Sequence, residues 1–416
     1  MKSTQVPSHK KILTLVFLTV FLDLVGFGII IPIQPFYAEK LGASPTVITL
    51  LGASFSLMQF LFGSFWGRLS DRIGRRPVML LSIACSSIGY AIFGAAESLP
   101  ILFLARMLAG FGSANIGAAQ AIIADCTPPE SRAKGMGLIG AAFGLGFIFG
   151  PAMGGFFGQI GLSVPAFVAS GLGVINFIFA FTSLPETCPQ KLGGTPQNDF
   201  SHRPGFSFKA LKHAARHPNV SQLFLIYFFY ISAFSMMEQV LGLFIQSTWH
   251  PLTAGVEWVA RGKQSAAQTA YVLIMVGVTA TIVQGGLIGR LAKKFGERRL
   301  LITGITFVGI ALATTPLIGQ LGIYSLMLLW GVGLAIGSGL TNPSLSSLIS
   351  QSVDKGEQGE ALGMAQSISA LGRVIGPSIA GVLFERSVGL PFWLGSGIVF
   401  IAAIIATSLK TTAKVS

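Results

Sequence analysis

Charge is what this chain has least of. Only 10% of its 416 residues are charged while 52% are hydrophobic, against about 25% charged in a soluble domain, so an ordinary soluble fold is excluded. Acidic residues are the scarcer sign, 15 against 28 Lys and Arg. The basic excess nevertheless lies in short scattered runs and forms no continuous stripe interleaved with aromatics, so no nucleic-acid partner is expected. Cysteine is nearly absent: Cys85, Cys126 and Cys188 stand far apart, which excludes a disulfide framework and a thiolate metal site. No nucleophile–base pair or metal-ligand cluster is present, and the glycine runs lie inside apolar stretches with no adjoining strand, so they are not phosphate loops. No enzyme activity and no cofactor are expected.

What the chain does have is long apolar runs. A bilayer-spanning helix needs about 20 such residues, and twelve candidate spans follow one another: 12–37, 47–67, 77–96, 100–123, 135–159, 163–184, 219–247, 268–290, 300–316, 322–349, 360–384 and 389–408. Between spans two and three lies GSFWGRLSDRIGRRPV, Gly63–Val78, which packs Arg68, Asp71, Arg72, Arg75 and Arg76 into a tight turn. GRLAKKFGERR, Gly289–Arg299, repeats the device in the second half. Matching hairpins at matching places mean a duplicated bundle, the architecture of secondary transporters. The expected fold is an all-α membrane protein of two pseudo-symmetric six-helix bundles, 1–184 and 219–416, joined by a linker at 185–218 whose segment Phe206–His217 suits a short basic helix on the membrane surface.

All but six of the Lys and Arg residues fall on one side of this arrangement; Lys40, Arg261, Lys263 and Arg386 fall on the other, and Arg106 and Arg373 lie within spans. The positive-inside bias assigns the rich side, both termini and the linker to the cytoplasm. Lys2, Lys10 and Lys11 precede a first apolar run too long for a cleaved signal. The outer loop 248–267 is the longest on its side and carries Trp249 and Trp258 as interface anchors.

Ionisable residues inside spans are costly and mark function by default. Four qualify: Asp23, Arg106, Glu238 and Arg373. Asp23 and Glu238 occupy comparable depths in the first helix of each half, where a repeat would put matching proton-binding groups. The alternative is structural pairing of Asp23 with Arg106 and of Glu238 with Arg373. Gln34, Gln59, Asn115, Gln120, Gln239, Gln284 and Asn342 supply uncharged polar lining, with Phe234 among the aromatics; Gln59 and Gln284 precede the two hairpins at corresponding places. A path of amides and aromatics suits an amphipathic, largely apolar small-molecule solute. In the fifth span Gly146, Gly150, Pro151, Gly154 and Gly155 promise close helix approach and a bend, echoed by Gly372, Gly376, Pro377 and Gly381.

Gly67–Val78 (GRLSDRIGRRPV) resembles the signature loop between spans two and three of the major facilitator superfamily, Arg106–Gly117 its span-four motif, and Gly146–Gly155 the span-five motif of its proton-driven drug antiporters. Within that superfamily FLDLVGFGIIIPIQP, IIADCTPPESRAKGMGLIGAAFGLGFIFGPAMGG and QGEALGMAQSISALGRVIGP resemble the tetracycline-efflux group. The resemblance implies a monomeric, multi-pass protein of a bacterial inner membrane that exchanges protons for a drug-like solute. It implies that Asp71, Arg75 and Asp125 form an interior charge network latching the outward-facing state, with Arg76, Gly150 and Pro151 counted to the same conformational latch, and that Asp23 and Gln59 face the cavity. Glu238, Arg106 and Arg373 would share proton coupling with Asp23. The chain departs from the group at Gly89, Ala280 and Val308, where tetracycline pumps carry an acidic residue, a His and an Asp. A second reading is a proton-coupled transporter of a metabolite such as a sugar or organic anion, with Arg106 or Arg373 as the anion contact; a receptor or scaffold would leave the paired hairpins unexplained.

Overall fold

The structure is a computed structural model, and it describes residues 9–127, 129–188, 219–250, 258–353 and 358–409. The described residues hold no strand, and twelve helices among them are long and apolar enough to cross a membrane. In chain order the elements are α1 (His9–Ile30), α2 (Gln34–Lys40), α3 (Pro45–Ile73), α4 (Arg75–Gly94), α5 (Leu99–Gly112), a 3-10 turn (Ser113–Asn115), α6 (Ile116–Cys126), α7 (Pro129–Gly158) and α8 (Val164–Ser183). The second half has α9 (Val220–Trp249), α10 (Trp258–Ile282), a π turn (Val283–Leu287), α11 (Ile288–Phe295), α12 (Glu297–Leu321), α13 (Tyr324–Gln351), α14 (Gln358–Arg386) and α15 (Leu390–Thr407). Helix starts follow local chemistry: the Ser44 side chain accepts from the Val47 nitrogen with Pro45 following, and prolines also open α5, α8 and α15, where the missing N–H costs nothing.

The two halves pack by the same plan. In the first, α1 lies against α7 and α8, α4 against α5 and α8, and α3 against α5; in the second, α9 lies against α14 and α15, α12 against α13 and α15, and α10 against α13. The halves meet along α7 with α10 and along α3 with α14. Each basic hairpin is a single glycine between two helices, Gly74 (φ 110°) and Gly296 (φ 79°). Positive φ costs a side-chain-bearing residue about 1–2 kcal/mol, so glycine makes the turn this short. The charges read as loop are therefore mostly helical: Arg68, Asp71 and Arg72 close α3, and Lys293 and Lys294 close α11.

Two other expectations change. The loop 248–267 is shorter than its polarity suggests, because α10 starts at Trp258 and takes Arg261, Lys263 and Ser265 into a helix. Polar residues there belong to a helix that outruns the apolar layer. Trp249 is tied down, its Nε1 donating to the Gly322 carbonyl at 2.8 Å and its ring packed edge-on against Phe244 and Tyr324; the side chain of Trp258 and the residues Phe206–His217 lie outside what is described.

Every hydrogen bond between the halves recorded among the described residues lies in the part of the molecule away from the basic hairpins. Glu39 meets Gln246 and Arg261, Thr46 meets Glu385, Gln159 and Ile160 meet Lys263, and Gln34 meets Gln239. The main apolar cluster crosses between halves there too, joining Ile29, Phe36 and Leu51 to Val240, Phe244 and Phe392. At the hairpin end the first half closes its own core, with Ile12, Trp66, Val78 and Ile122 fully buried, while Gln284, Gly285, Gly286 and Leu287 are exposed. The bonds between the halves recorded among the described residues are thus gathered at the end away from the hairpins.

Candidate functional site

The four intramembrane ionisable residues come from four helices in both halves: Asp23 on α1, Arg106 on α5, Glu238 on α9 and Arg373 on α14. Glu238 lies within electrostatic reach of Arg373 and of Arg106 across the interface. No ion pair joins any two of the four among the described residues, so neither pairing considered from the sequence forms. Arg106 is 4% exposed, its guanidinium carbon 4.3 Å from the centre of the Phe55 ring, and its Nε and Nη1 have no hydrogen-bond partner among the described residues. The ring face offers a cation partial compensation, less than a carboxylate would. Asp23, Glu238 and Arg373 are half-buried.

Asp23 is served by Asn115, whose side chain hydrogen-bonds to it and whose Nδ2 also lies 2.8 Å from Ser82 Oγ. Local backbone explains the placement. Span four is broken by the 3-10 turn Ser113–Asn115, which presents Asn115 toward α1 and leaves the Ser113 carbonyl to accept from Gln59 Nε2 at 3.3 Å.

The other lining candidates separate. Gln34 Nε2 donates to Gln239 Oε1 across the halves at 3.4 Å, in a space so tight that a Cβ on Gly52 would collide with the Gln239 amide. Asn342 Nδ2 donates to Tyr230 Oη at 3.3 Å, and Phe234 packs on the Tyr230 ring at 6.0 Å. Tyr230 lies within electrostatic reach of Arg373, which joins Asn342 and Phe234 to the charge set. Phe27 stacks on Phe55 at 5.0 Å, extending the aromatic wall beside Arg106. Gln120 is half-exposed on α6, nearer the open end, and Gln284 is exposed within the π turn, so Gln59 and Gln284 do not hold equivalent positions.

The charge network of the first hairpin is complete within one half. Arg75 pairs with Asp71 and with Asp125, its Nε 3.0 Å from Asp125 Oδ2, and its Nη1 donates to Ser70 Oγ at 2.7 Å. Arg76 turns away to α8, donating to the Phe181 carbonyl at 2.6 Å with its guanidinium over that ring. Gly150 and Pro151 sit in the seam between α1 and α7, where a Cβ on Gly28 would meet Gly150 Cα at 3.0 Å and Pro151 Cδ at 3.2 Å. One residue here escaped the sequence reading. Glu186, just after α8, accepts from the backbone nitrogens of Arg75 (2.9 Å), Arg76 (3.3 Å), Thr187 and Cys188 (both 2.9 Å), an anion seated at the N-terminus of α4.

Two of the three departures from the tetracycline-efflux pattern are fixed by packing, and the third, Ala280, is half-buried. A Cβ on Gly89 would meet the Ala109 nitrogen at 2.7 Å, and Val308 is wholly buried, so this packing has no room for an acid at either.

The model of the Major Facilitator Superfamily matches residues 16–288 and 248–415. The chain is 31% identical over 400 residues to the class E tetracycline resistance protein of Escherichia coli, covering 93% of this chain and 92% of that one. It is 28% identical over 403 residues to multidrug resistance protein 2 of Bacillus subtilis (strain 168), covering 95% and 94%. Among solved structures it is similar to the human organic anion transporter MFSD10 (TETRAN), with TM-score 0.69, 24% identity, and coverage of 96% and 100%.

Proposed function

The chain belongs to the major facilitator superfamily and is a membrane transporter, not an enzyme; from that premise we propose that it exports a drug-like, amphipathic solute in exchange for protons by alternating access. The observation that carries this is the unpaired charge set at the interface of the halves. Asp23 and Glu238 are carboxyls at a depth where charge is expensive, and Glu238 faces cations on both sides of the moving interface. A relative movement of the halves changes which of them it meets, and so changes its hold on a proton.

With the basic hairpins cytoplasmic, as the positive-inside bias has it, the gathering of bonds between the halves at the outer end supports an inward-open state in which the solute enters among Gln59, Phe234, Gln239 and Asn342 from the cytoplasm. The wall of amides and rings gives little selectivity for hydrogen-bond pattern and much for apolar bulk. The similarity to tetracycline and multidrug resistance proteins supports export of such a solute; the apolar packing at Gly89 and Val308 argues for one other than tetracycline. Both termini and the 185–218 linker are then cytoplasmic in a bacterial inner membrane, and the protein works as a monomer of two bundles, 1–184 and 219–416.

The test is proton flux driven by solute in liposomes, followed with a pH dye across a panel of lipophilic cations, neutral amphiphiles and organic anions. Solute-dependent proton movement supports the reading; solute exchange with no proton movement removes it. One observation favours a second reading. Arg106, buried with two nitrogens unpartnered beside Phe55 and Phe27, is suited to the anionic group of an aromatic acid, and the structurally similar MFSD10 is an organic anion transporter. Arg106→Gln abolishes solute binding under that reading and spares binding but not coupling under the first.

A further inference from the structure

We propose that Glu39 is the hub of a clasp that holds the transporter shut at the end away from the basic hairpins, and that Arg261 is its cationic partner. The clasp must break once in every transport cycle. The inference rests on alternating access, though not on what the solute is.

Glu39 belongs firmly to the first half. It sits in the last turn of α2, whose residues Gln34 to Ala38 are buried, and α2 is moored by Tyr37, which donates to the Ala96 carbonyl at 2.8 Å. Both partners of the Glu39 carboxylate come from the second half. Gln246 Nε2, on α9, donates to Oε2 at 2.8 Å, and Arg261 Nη1, on α10, lies 3.5 Å from Oε1. No ion pair other than this one joins the two halves among the described residues.

Arg261 is held ready for it. It is 7% exposed although it lies close to the end of its helix, and its Nε donates to the His250 carbonyl at 2.5 Å, which fixes the guanidinium over the interface. The His250 ring in turn meets Gln268 Oε1 at 3.0 Å. Two flanking ties share the load. On the α7 side Gln159 Nε2 donates to the Lys263 carbonyl at 2.7 Å and Lys263 Nζ to the Ile160 carbonyl at 3.2 Å. On the α3 side the Thr46 nitrogen, in the first turn of α3, donates to Glu385 Oε1 at 3.0 Å. A helix N-terminus in one half is thus capped by a carboxylate of the other.

The physics makes this a two-position device. While the end is shut, Glu39 and Arg261 are partly desolvated and their attraction is strong; once the halves part, water floods the gap, solvates both ions and screens them. The contact therefore resists the start of opening and exerts little pull once opening has begun. It also complements the Asp71–Arg75–Asp125 network, which lies at the opposite end and inside a single half.

Ser265 gives a direct readout, because it lies one turn behind Arg261 and is fully buried. In intact cells Ser265→Cys is exposed to a membrane-impermeant maleimide, with the parent protein as control for the native cysteines. Labelling is expected to be slow with Glu39 and Arg261 intact, and about tenfold faster with Glu39→Gln or Arg261→Gln, as a population shift toward the open end requires. Exchanging the charges, Glu39→Arg with Arg261→Glu, returns labelling to the slow rate. Should either single variant fail to reach the membrane, Gln246→Ala supplies a smaller acceleration in its place. Unchanged labelling in the variants that do reach the membrane, or an exchanged pair that labels as fast as the singles, overturns the clasp. A protein that labels as expected yet moves no protons with solute leaves the clasp standing and removes the proposed coupling instead.

Discussion

The backbone nitrogen of Arg75 donates to Glu186 Oε1 at 2.9 Å while its side chain pairs with Asp71 and Asp125. One residue at the start of α4 thereby ties together the end of α3, the end of α6 and the segment leaving α8. Glu186 accepts from four backbone nitrogens in all. Glu186→Ala is expected to destabilise the protein by about 1–2 kcal/mol, the worth of a lost helix cap, read as a lower unfolding temperature in detergent. Glu186→Gln keeps the acceptor oxygen and should lose less. Gly74→Ala should be as damaging, since its φ of 110° disfavours a side chain and a Cβ there would strike the Glu186 carboxylate.

Asp71→Asn should fold and bind solute, because Arg75 keeps Asp125 and Ser70, but exchange between inward- and outward-open states should slow. Interconversion measured by fluorescence between labels on the two halves checks this. Equal rates in variant and parent would remove the latch role of Asp71.

At least one of Asp23→Asn and Glu238→Gln should abolish proton-driven accumulation while leaving solute counterflow without a gradient measurable. Glu238 is the more informative, because it faces arginines of both halves. Stoichiometric proton movement in the double variant would make both carboxyls structural.

Gly150→Ala should cost about 1–3 kcal/mol by overpacking, since its Cβ would meet Gly28 Cα at 2.6 Å. Gly144→Ala, whose Cβ would meet only Thr281 Oγ1 at 3.2 Å across the halves, should be milder in stability. Thermal unfolding of the two variants side by side tests the contrast; equal losses would mean that the α1–α7 seam yields more readily than its spacing indicates.

Orientation is checked by a cysteine at Gln264, which is exposed on α10 where its neighbour Ser265 is buried. Impermeant reagent outside intact cells should label Gln264→Cys and spare Ser201→Cys. Labelling of Ser201→Cys from outside would invert the topology.

The sequence made the spans legible because hydrocarbon leaves no other way to satisfy a backbone, and the hairpins because charge between apolar runs is conspicuous. It marked Asp23, Arg106, Glu238 and Arg373 as candidates by the cost of burying charge within a span. Their mutual distances were not legible: a pattern along the chain does not fix which side chains meet between helices, and the 3-10 turn at Ser113–Asn115 gives Asp23 an amide in place of an arginine. The sequence assigns Arg261 only to the outer side and does not single out Glu39, because both are polar residues at the ends of apolar runs, where hydropathy says nothing of burial between helices. Glu186 read as the first residues of a linker. The stretch Glu186–Cys188 signals a helix cap only once α4 is known to start beside it. Gln284 was matched to Gln59 by its place before the hairpin, and the π turn undoes that register.

Helix α7 is close-packed on two sides at once. On one, Gly146, Gly150 and Gly154 bring its backbone against that of α1 so closely that added methyl groups would collide with Leu24, Gly28 and the Ile29 carbonyl. On the other, a Cβ on Gly155 would collide with Ala270 Cβ and one on Gly277 of α10 would meet the Phe147 carbonyl at 2.9 Å, and the hydrogen bonds recorded there among the described residues join Gln159 and Ile160 to Lys263 at the end of the seam. Helix α7 is therefore a shared spine, close-packed through small residues toward both halves, with its polar attachment to the second half confined to one rim.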